Sequence, residues 1–177
     1  YSVASTFAGA ALVFQAIFST VWVPIVYQWV ADGVNPEKIK SVMEYVTLVI
    51  LVIWSLTGMF SWVVGDVLPS QYVRVPYILL AVIAYPLLYT LSEVTGIGIG
   101  ITRRTIFSLL ASGLALALNA MGNWLLIPLL GASGAAISSA VAFMCFFVVR
   151  TEASARLWAD FGRLRIYVFT MILLGLS

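Results

Sequence analysis

Histidine is absent from the 177 residues, cysteine occurs once, and only 9% of the side chains carry a charge. Without histidine there is no ready general base near neutral pH, and without a second cysteine there is neither a thiolate cluster nor an intrachain disulfide. Cys145 lies within an apolar stretch and reads as a small packing residue. The seven acidic residues, Asp32, Glu37, Glu44, Asp66, Glu93, Glu152 and Asp160, stand mostly at the ends of apolar runs, so no enzyme chemistry, metal site or cofactor is expected. A net charge of +2 is too small and too dispersed for a nucleic-acid surface.

What fills the chain instead is hydrocarbon: 63% of residues are hydrophobic, 14% are aromatic, and the mean hydropathy is +1.09. Between Thr105 and Val149 no charged side chain occurs, and the run is broken only at Pro128-Leu-Leu-Gly131-Ala-Ser-Gly134. A bilayer core needs about 20 apolar residues per spanning helix, with every backbone polar group paired internally. The run is too long for one span and reads as two helices joined by a tight turn. The chain as a whole reads as all-α, a single transmembrane domain over residues 1–177, with the lipid bilayer as its solvent.

Apolar runs and their punctuation predict helices at 2–29, 41–65, 74–101, 105–127, 132–150 and from 163 onward, about five full spans and a truncated sixth. Loops then fall at 31–40, 66–71 (with Pro69), 102–104, 128–131 and 151–162. Lys38 and Lys40 lie by the first loop, Arg103 and Arg104 in the third, and Arg150, Arg156, Arg163 and Arg165 in or beside the fifth, against Arg74 alone by an even-numbered loop. Because basic residues in short loops stay cytoplasmic, the loops near 31–40, 102–104 and 151–162 are expected inside and residue 1 outside. Trp22, Tyr27 and Trp29 then suit one interfacial belt, and Tyr72 and Tyr77 the other. The chain opens on Tyr1 without a basic leader and stops at Ser177 within an apolar run, so it is expected to be part of a longer transporter-sized protein.

Glu93 is the most informative side chain. It lies ten residues before Arg103, or roughly 15 Å of helix rise, which places it within the hydrocarbon. A carboxylate there costs about 2.5–3.5 kcal/mol and should face a bundle interior or a wet cavity. It either serves in transport or makes an interhelical hydrogen bond as a neutral acid. Tyr89, Glu93 and Gly100 share its helical face. On the next helix Ser108, Ser112, Asn119 and Asn123 fall within an arc of about 60°, a stripe that either lines a passage or binds helices together. Gln15, Ser19 and Trp22 form a shorter face of the same kind, with an aromatic ring beside polar groups as sugar binding requires. Gly96-Ile-Gly98-Ile-Gly100 lacks the strand and Lys-Ser/Thr of a phosphate-cradling loop, so its glycines read as sites of close helix approach, as do Gly131, Gly134, Ala135, Ala136 and Ala140. Pro24 and Pro86 are expected to kink their helices. Arg103 and Arg104 are placed to meet a lipid headgroup or phosphate.

Three segments together resemble a known family: Tyr1-Ser2-Val3-Ala4-Ser5 leading to Phe18-Ser19-Thr20-Val21-Trp22-Val23-Pro24, the Gly96-Ile-Gly98-Ile-Gly100-Ile-Thr102-Arg103-Arg104-Thr105 junction, and Asn123-Trp-Leu-Leu-Ile-Pro128-Leu-Leu-Gly131-Ala-Ser-Gly134-Ala135-Ala136. Their order and spacing are similar to the C-terminal half of Wzx-type polysaccharide flippases, within the MATE-like multidrug/oligosaccharidyl-lipid/polysaccharide exporter superfamily. The resemblance implies one lobe of a two-lobed transporter that flips undecaprenyl-pyrophosphate-linked oligosaccharides to the outer leaflet of a bacterial inner membrane by alternating access. It implies a missing N-terminal lobe, a lipid-linked oligosaccharide substrate, and a polysaccharide polymerase and other assembly proteins as partners. Glu93, Asn119, Asn123, Gln15, Trp22 and Tyr89 are the candidates for the passage or for coupling, and Arg103 and Arg104 for the headgroup. A drug/cation antiporter of the MATE type, with Glu93 as the cation or proton site, is the alternative.

The orientation is directly testable in the full-length protein with Cys145 replaced by serine. Cysteines placed by Lys38→Cys or Arg156→Cys are expected to resist a membrane-impermeant reagent in intact cells, and external labelling at either position would overturn the assignment.

Overall fold

The computed structural model describes residues 2–59, 75–158 and 162–175, and these are helical almost throughout. Among the described residues seven helices follow in chain order: α1 (Ser2–Ala31), α2 (Pro36–Met59), α3 (Val75–Thr95), α4 (Ile97–Ile101), α5 (Ile106–Leu130), α6 (Ala132–Leu157) and α7 (Arg163–Gly175). Four stretches of the described residues, Leu12–Ala31, Pro36–Met59, Ile106–Leu130 and Ala132–Leu157, are long and apolar enough to cross a membrane. The expected loop at 66–71 with Pro69, the end of the second helix at 65, Tyr1, Tyr72, Arg74 and the side chain of Tyr77 lie outside the described residues.

The first connection is tighter than the sequence indicated. Pro36 starts α2 where its missing N–H costs nothing, and the Asn35 side chain accepts a hydrogen bond from the Glu37 amide (2.9 Å), so the charged segment 36–40 is already helical. On α2, Ile39, Met43, Thr47, Ile50 and Trp54 repeat at helical spacing and are buried, while Tyr45, Leu48, Val49 and Val52 face outward. In the described part of α3, by contrast, nearly every side chain from Ile83 to Thr95 is buried. This makes α3 the central helix, packed against α1, α2 and α6. Trp22 and Val26 of α1 reach the same core. Trp22 is 6% exposed and stacks on Phe18 (centroids 5.6 Å apart), which corrects its assignment to an interfacial belt; Tyr27 does remain exposed.

The third helix does not run unbroken to residue 101. It ends at Thr95, turns at Gly96 (φ −82°, ψ 0°), and resumes as the short α4. At the end of α4 the Arg104 amide donates to the Ile99 carbonyl and the Arg103 amide to the Gly100 carbonyl (both 3.0 Å), the paired bonds of a Schellman cap. Arg103 takes the left-handed position (φ 56°) that glycine usually fills, at a cost of roughly 1–2 kcal/mol. Such local strain recurs at working sites.

Helices α5 and α6 form a hairpin hinged on one residue. Pro128 stays within α5, contrary to the expected turn at 128–131, and Gly131 alone reverses the chain at φ 59°, ψ −132°. Its amide closes α5 by donating to the Ile127 carbonyl (2.8 Å). The helices approach closely because Gly134 sits on the backbone of Leu126 and Gly122 on Ser138, with Ala111, Ala115, Ala142 and Phe146 packed beside them. Outside this seam α5 is largely uncovered, with Leu109, Leu116, Trp124 and Leu129 exposed as befits a lipid-facing helix.

Helix α6 also outruns its expected end at 150, because residues 151–157 contain no glycine or proline and Glu152 supports the extension. Its carboxylate lies 3.9 Å from Arg156 one turn on and 3.3 Å from Arg163 of α7, and it accepts a hydrogen bond from the Tyr167 hydroxyl (3.1 Å). Arg150 is therefore a residue inside a helix and not part of a loop.

Gly134→Val is expected to force the hairpin apart, since a Cβ at Gly134 already meets the Leu126 carbonyl. Gly113 faces open space, so Gly113→Ala should keep or raise stability, by up to about 1 kcal/mol. Thermal unfolding of the two variants in detergent checks the contrast.

Candidate functional site

Glu93 lies two residues before the end of α3, and Arg150 lies well inside α6. The Arg150 Nη1 donates to Glu93 Oε1 at 2.7 Å, and the two side chains are only 12% and 14% exposed respectively. Below this pair the Thr95 and Thr151 hydroxyls meet at 2.6 Å, and the Gly98 amide donates to Ser154 Oγ at 3.0 Å. The three contacts join residues 57, 56 and 56 apart in sequence, the constant offset of two helical segments running parallel in register. Glycine makes the close approach possible. A Cβ on Gly96 would stand 3.2 Å from Arg150 Nε, one on Gly98 would stand 2.6 Å from Ser154 Oγ, and one on Gly100 would collide with the Tyr27 hydroxyl. The glycines thus do serve close contact, but Gly96 and Gly98 serve α6 whereas Gly100 serves α1. The ends of α1, α3–α4 and α6 meet at one end of the bundle.

A pocket of about 160 Å³ opens at this meeting point. Glu93 and Arg150 line it together with Tyr27, Gly96, Thr105 and Ser108, so α1, α3, α5 and α6 all contribute. Its volume suits roughly five waters. Arg150 is held from a second side by the ring of Phe146, 5.1 Å away, and Phe146 in turn stacks on Tyr89 (5.8 Å). Arg150 Nε is buried and has no hydrogen-bond partner. The arrangement is a largely buried ion pair at the edge of a small cavity.

The other candidates are dispersed. Ser108 reaches the pocket, while Ser112, next in the stripe, is exposed. Asn119 donates to Ser139 of α6 (3.1 Å) and Asn123 donates to Asn119 (2.8 Å), so the far end of the stripe ties the hairpin together. Gln15 Oε1, Ser19 Oγ and Trp22 Nε1 are buried without partners on α1, and none of the three lines the pocket. Arg103 and Arg104 are exposed in the turn that leads into α5. Arg150 is the residue that sequence reading missed. Its signal was present, because a membrane carboxylate demands a counter-charge and the segment after Val149 contains nothing that stops a helix.

No family model, curated protein or solved structure matches the chain.

Removing one partner of a buried pair strands the other charge, at about 3–5 kcal/mol. Glu93→Ala and Arg150→Ala should each lower the unfolding temperature markedly, whereas the double variant Glu93→Ala/Arg150→Ala should lose much less than the sum of the two. A cycle of these variants, followed by thermal unfolding in detergent, measures the coupling.

Proposed function

We propose that this chain is one lobe of a two-lobed membrane transporter of the MATE-like exporter superfamily, moving undecaprenyl-pyrophosphate-linked oligosaccharide repeats from the cytoplasmic to the outer leaflet of a bacterial inner membrane for surface polysaccharide synthesis. The observation that carries the reading is the Glu93–Arg150 pair on a pocket where α1, α3, α4, α5 and α6 meet, in a bundle whose outer faces are apolar. A purely structural bundle gains little from such a pair, since well-packed apolar side chains of similar volume are commonly as stable. The resemblance of the 96–105 junction and the 123–136 hairpin to polysaccharide flippases supplies the substrate class. The junction carries the α4 cap and the pocket's Thr105, and the hairpin holds α5 against α6, so these motifs shape the site.

The drug/cation antiporter fits less well. A carboxylate already held by a guanidinium at 2.7 Å presents little net negative charge to a cation. A site whose charge can be shifted between an arginine and a proton suits an anionic substrate better.

In cells that depend on the full-length protein for surface polysaccharide, Glu93→Gln is expected to reach the membrane at normal levels, because glutamine still accepts from Arg150. It should export poorly and with a flattened dependence on pH. Export at the wild-type rate with unchanged pH dependence would eliminate a coupling role for Glu93.

A further inference from the structure

We infer that the polar face of α1 at Gln15, Ser19 and Trp22 is a binding site for ordered water, a short file that runs roughly 10 Å along the helix from the edge of the pocket. The three residues fall within an arc of about 60°, and the same face continues to the fully buried Val26, which with Trp22 belongs to the core around α3. On it Gln15 Oε1, Ser19 Oγ and Trp22 Nε1 are all buried and all without a hydrogen-bond partner. Trp22 is more than nine-tenths buried, so its N–H is withdrawn from the outside of the bundle. Polar atoms withdrawn in this way are bonded to protein or to ordered water, and protein supplies none of the three.

Ser19 shows what is unusual here. Its neighbour Thr20 donates to the Ala16 carbonyl one turn back (2.8 Å), and Ser55 of α2 donates to Leu51 in the same way (2.8 Å), which satisfies a hydroxyl inside its own helix. Ser19 makes no such bond, and its proton and lone pairs are left for a neighbour.

The three atoms also select their occupant. The Gln15 carbonyl accepts, the Trp22 indole donates, and the Ser19 hydroxyl does both. A cation would meet the positive end of the indole N–H, an anion would meet the glutamine oxygen, and α1 carries no charged side chain to hold either. Water both donates and accepts, and about two molecules, bonded to each other, serve all three atoms. Phe14, Phe18 and Trp22 stack beside the polar atoms (centroids 6.1 and 5.6 Å apart) as an apolar wall. Val23, the residue after Trp22, lines the pocket, so the file begins where the pocket ends. Trp54 of α2 marks the contrast. Its Nε1 is equally buried and unpartnered, but no second unpartnered side-chain atom accompanies it on α2 among the described residues. A lone donor among apolar side chains does not hold a water, which needs about three polar partners.

The inference is independent of the export reading. Full-length protein labelled with nitrogen-15 at its tryptophan indoles is placed in phosphatidylcholine nanodiscs, and magnetisation transfer from water to each indole N–H is recorded by NMR. Trp22→Phe and Trp54→Phe assign the two resonances; if Trp22→Phe does not fold, the resonance displaced by Gln15→Leu serves instead. Transfer from water is expected at Trp22 and not at Trp54, and exchange into heavy water should be at least about tenfold faster at Trp22. Ser19→Val and Gln15→Leu, which fill the space and remove a partner, should each abolish the transfer. Absence of transfer at Trp22, equal transfer at Trp54, or transfer that survives both substitutions would overturn the inference. A Trp22 signal that moves when sodium chloride is replaced by choline gluconate would show a bound ion and overturn it as well.

Discussion

A carboxylate and a guanidinium 2.7 Å apart, both largely withdrawn from solvent, tie α3 to α6. Buried as they are, neither charge is tolerable alone, so the pair fixes the level at which these helices meet. Once that depth is set, the threonine pair and the Gly98–Ser154 bond follow in register, and the end of α3 must come close to α6. The chain meets this demand with glycine at 96 and 98, and the helix breaks at the first of them. The pocket exists because α4 turns aside at the break, leaving space that Tyr27, Thr105 and Ser108 border without filling.

The fold class was legible because the bilayer imposes a simple rule. Long charge-free runs must be helices, and the 105–149 run showed both helices of the hairpin. The ends of helices were less legible. Charge was taken as the sign of a loop, yet Lys38, Glu152 and Arg156 all lie within helices, since helix propensity and local pairing outlast the apolar stretch. Pro128 misled as well: it removes one backbone bond to the turn before it without ending α5, and of the residues expected to form the turn only Gly131 takes a turn conformation.

At the site, the need of Glu93 for a partner could be read from its depth, but the partner's identity could not. Arg150 is 57 residues away, and only tertiary packing brings it near. The polar stripe on α5 shows the limit of helical-wheel reasoning. Residues aligned on one face diverged in role, because α6 covers Asn119 and Asn123 while Ser108 at the other end borders the pocket. Trp22 was placed by its distance from a predicted helix end, whereas its burial follows from α3 lying across it.

The long separation between Glu93 and Arg150 also bears on how the protein is made. A ribosome delivers the acid first, and the α5–α6 hairpin must follow before the base arrives. The ion pair that ties α3 to α6 therefore forms only after the whole hairpin has been made, and a chain halted before Arg150 lacks that tie altogether.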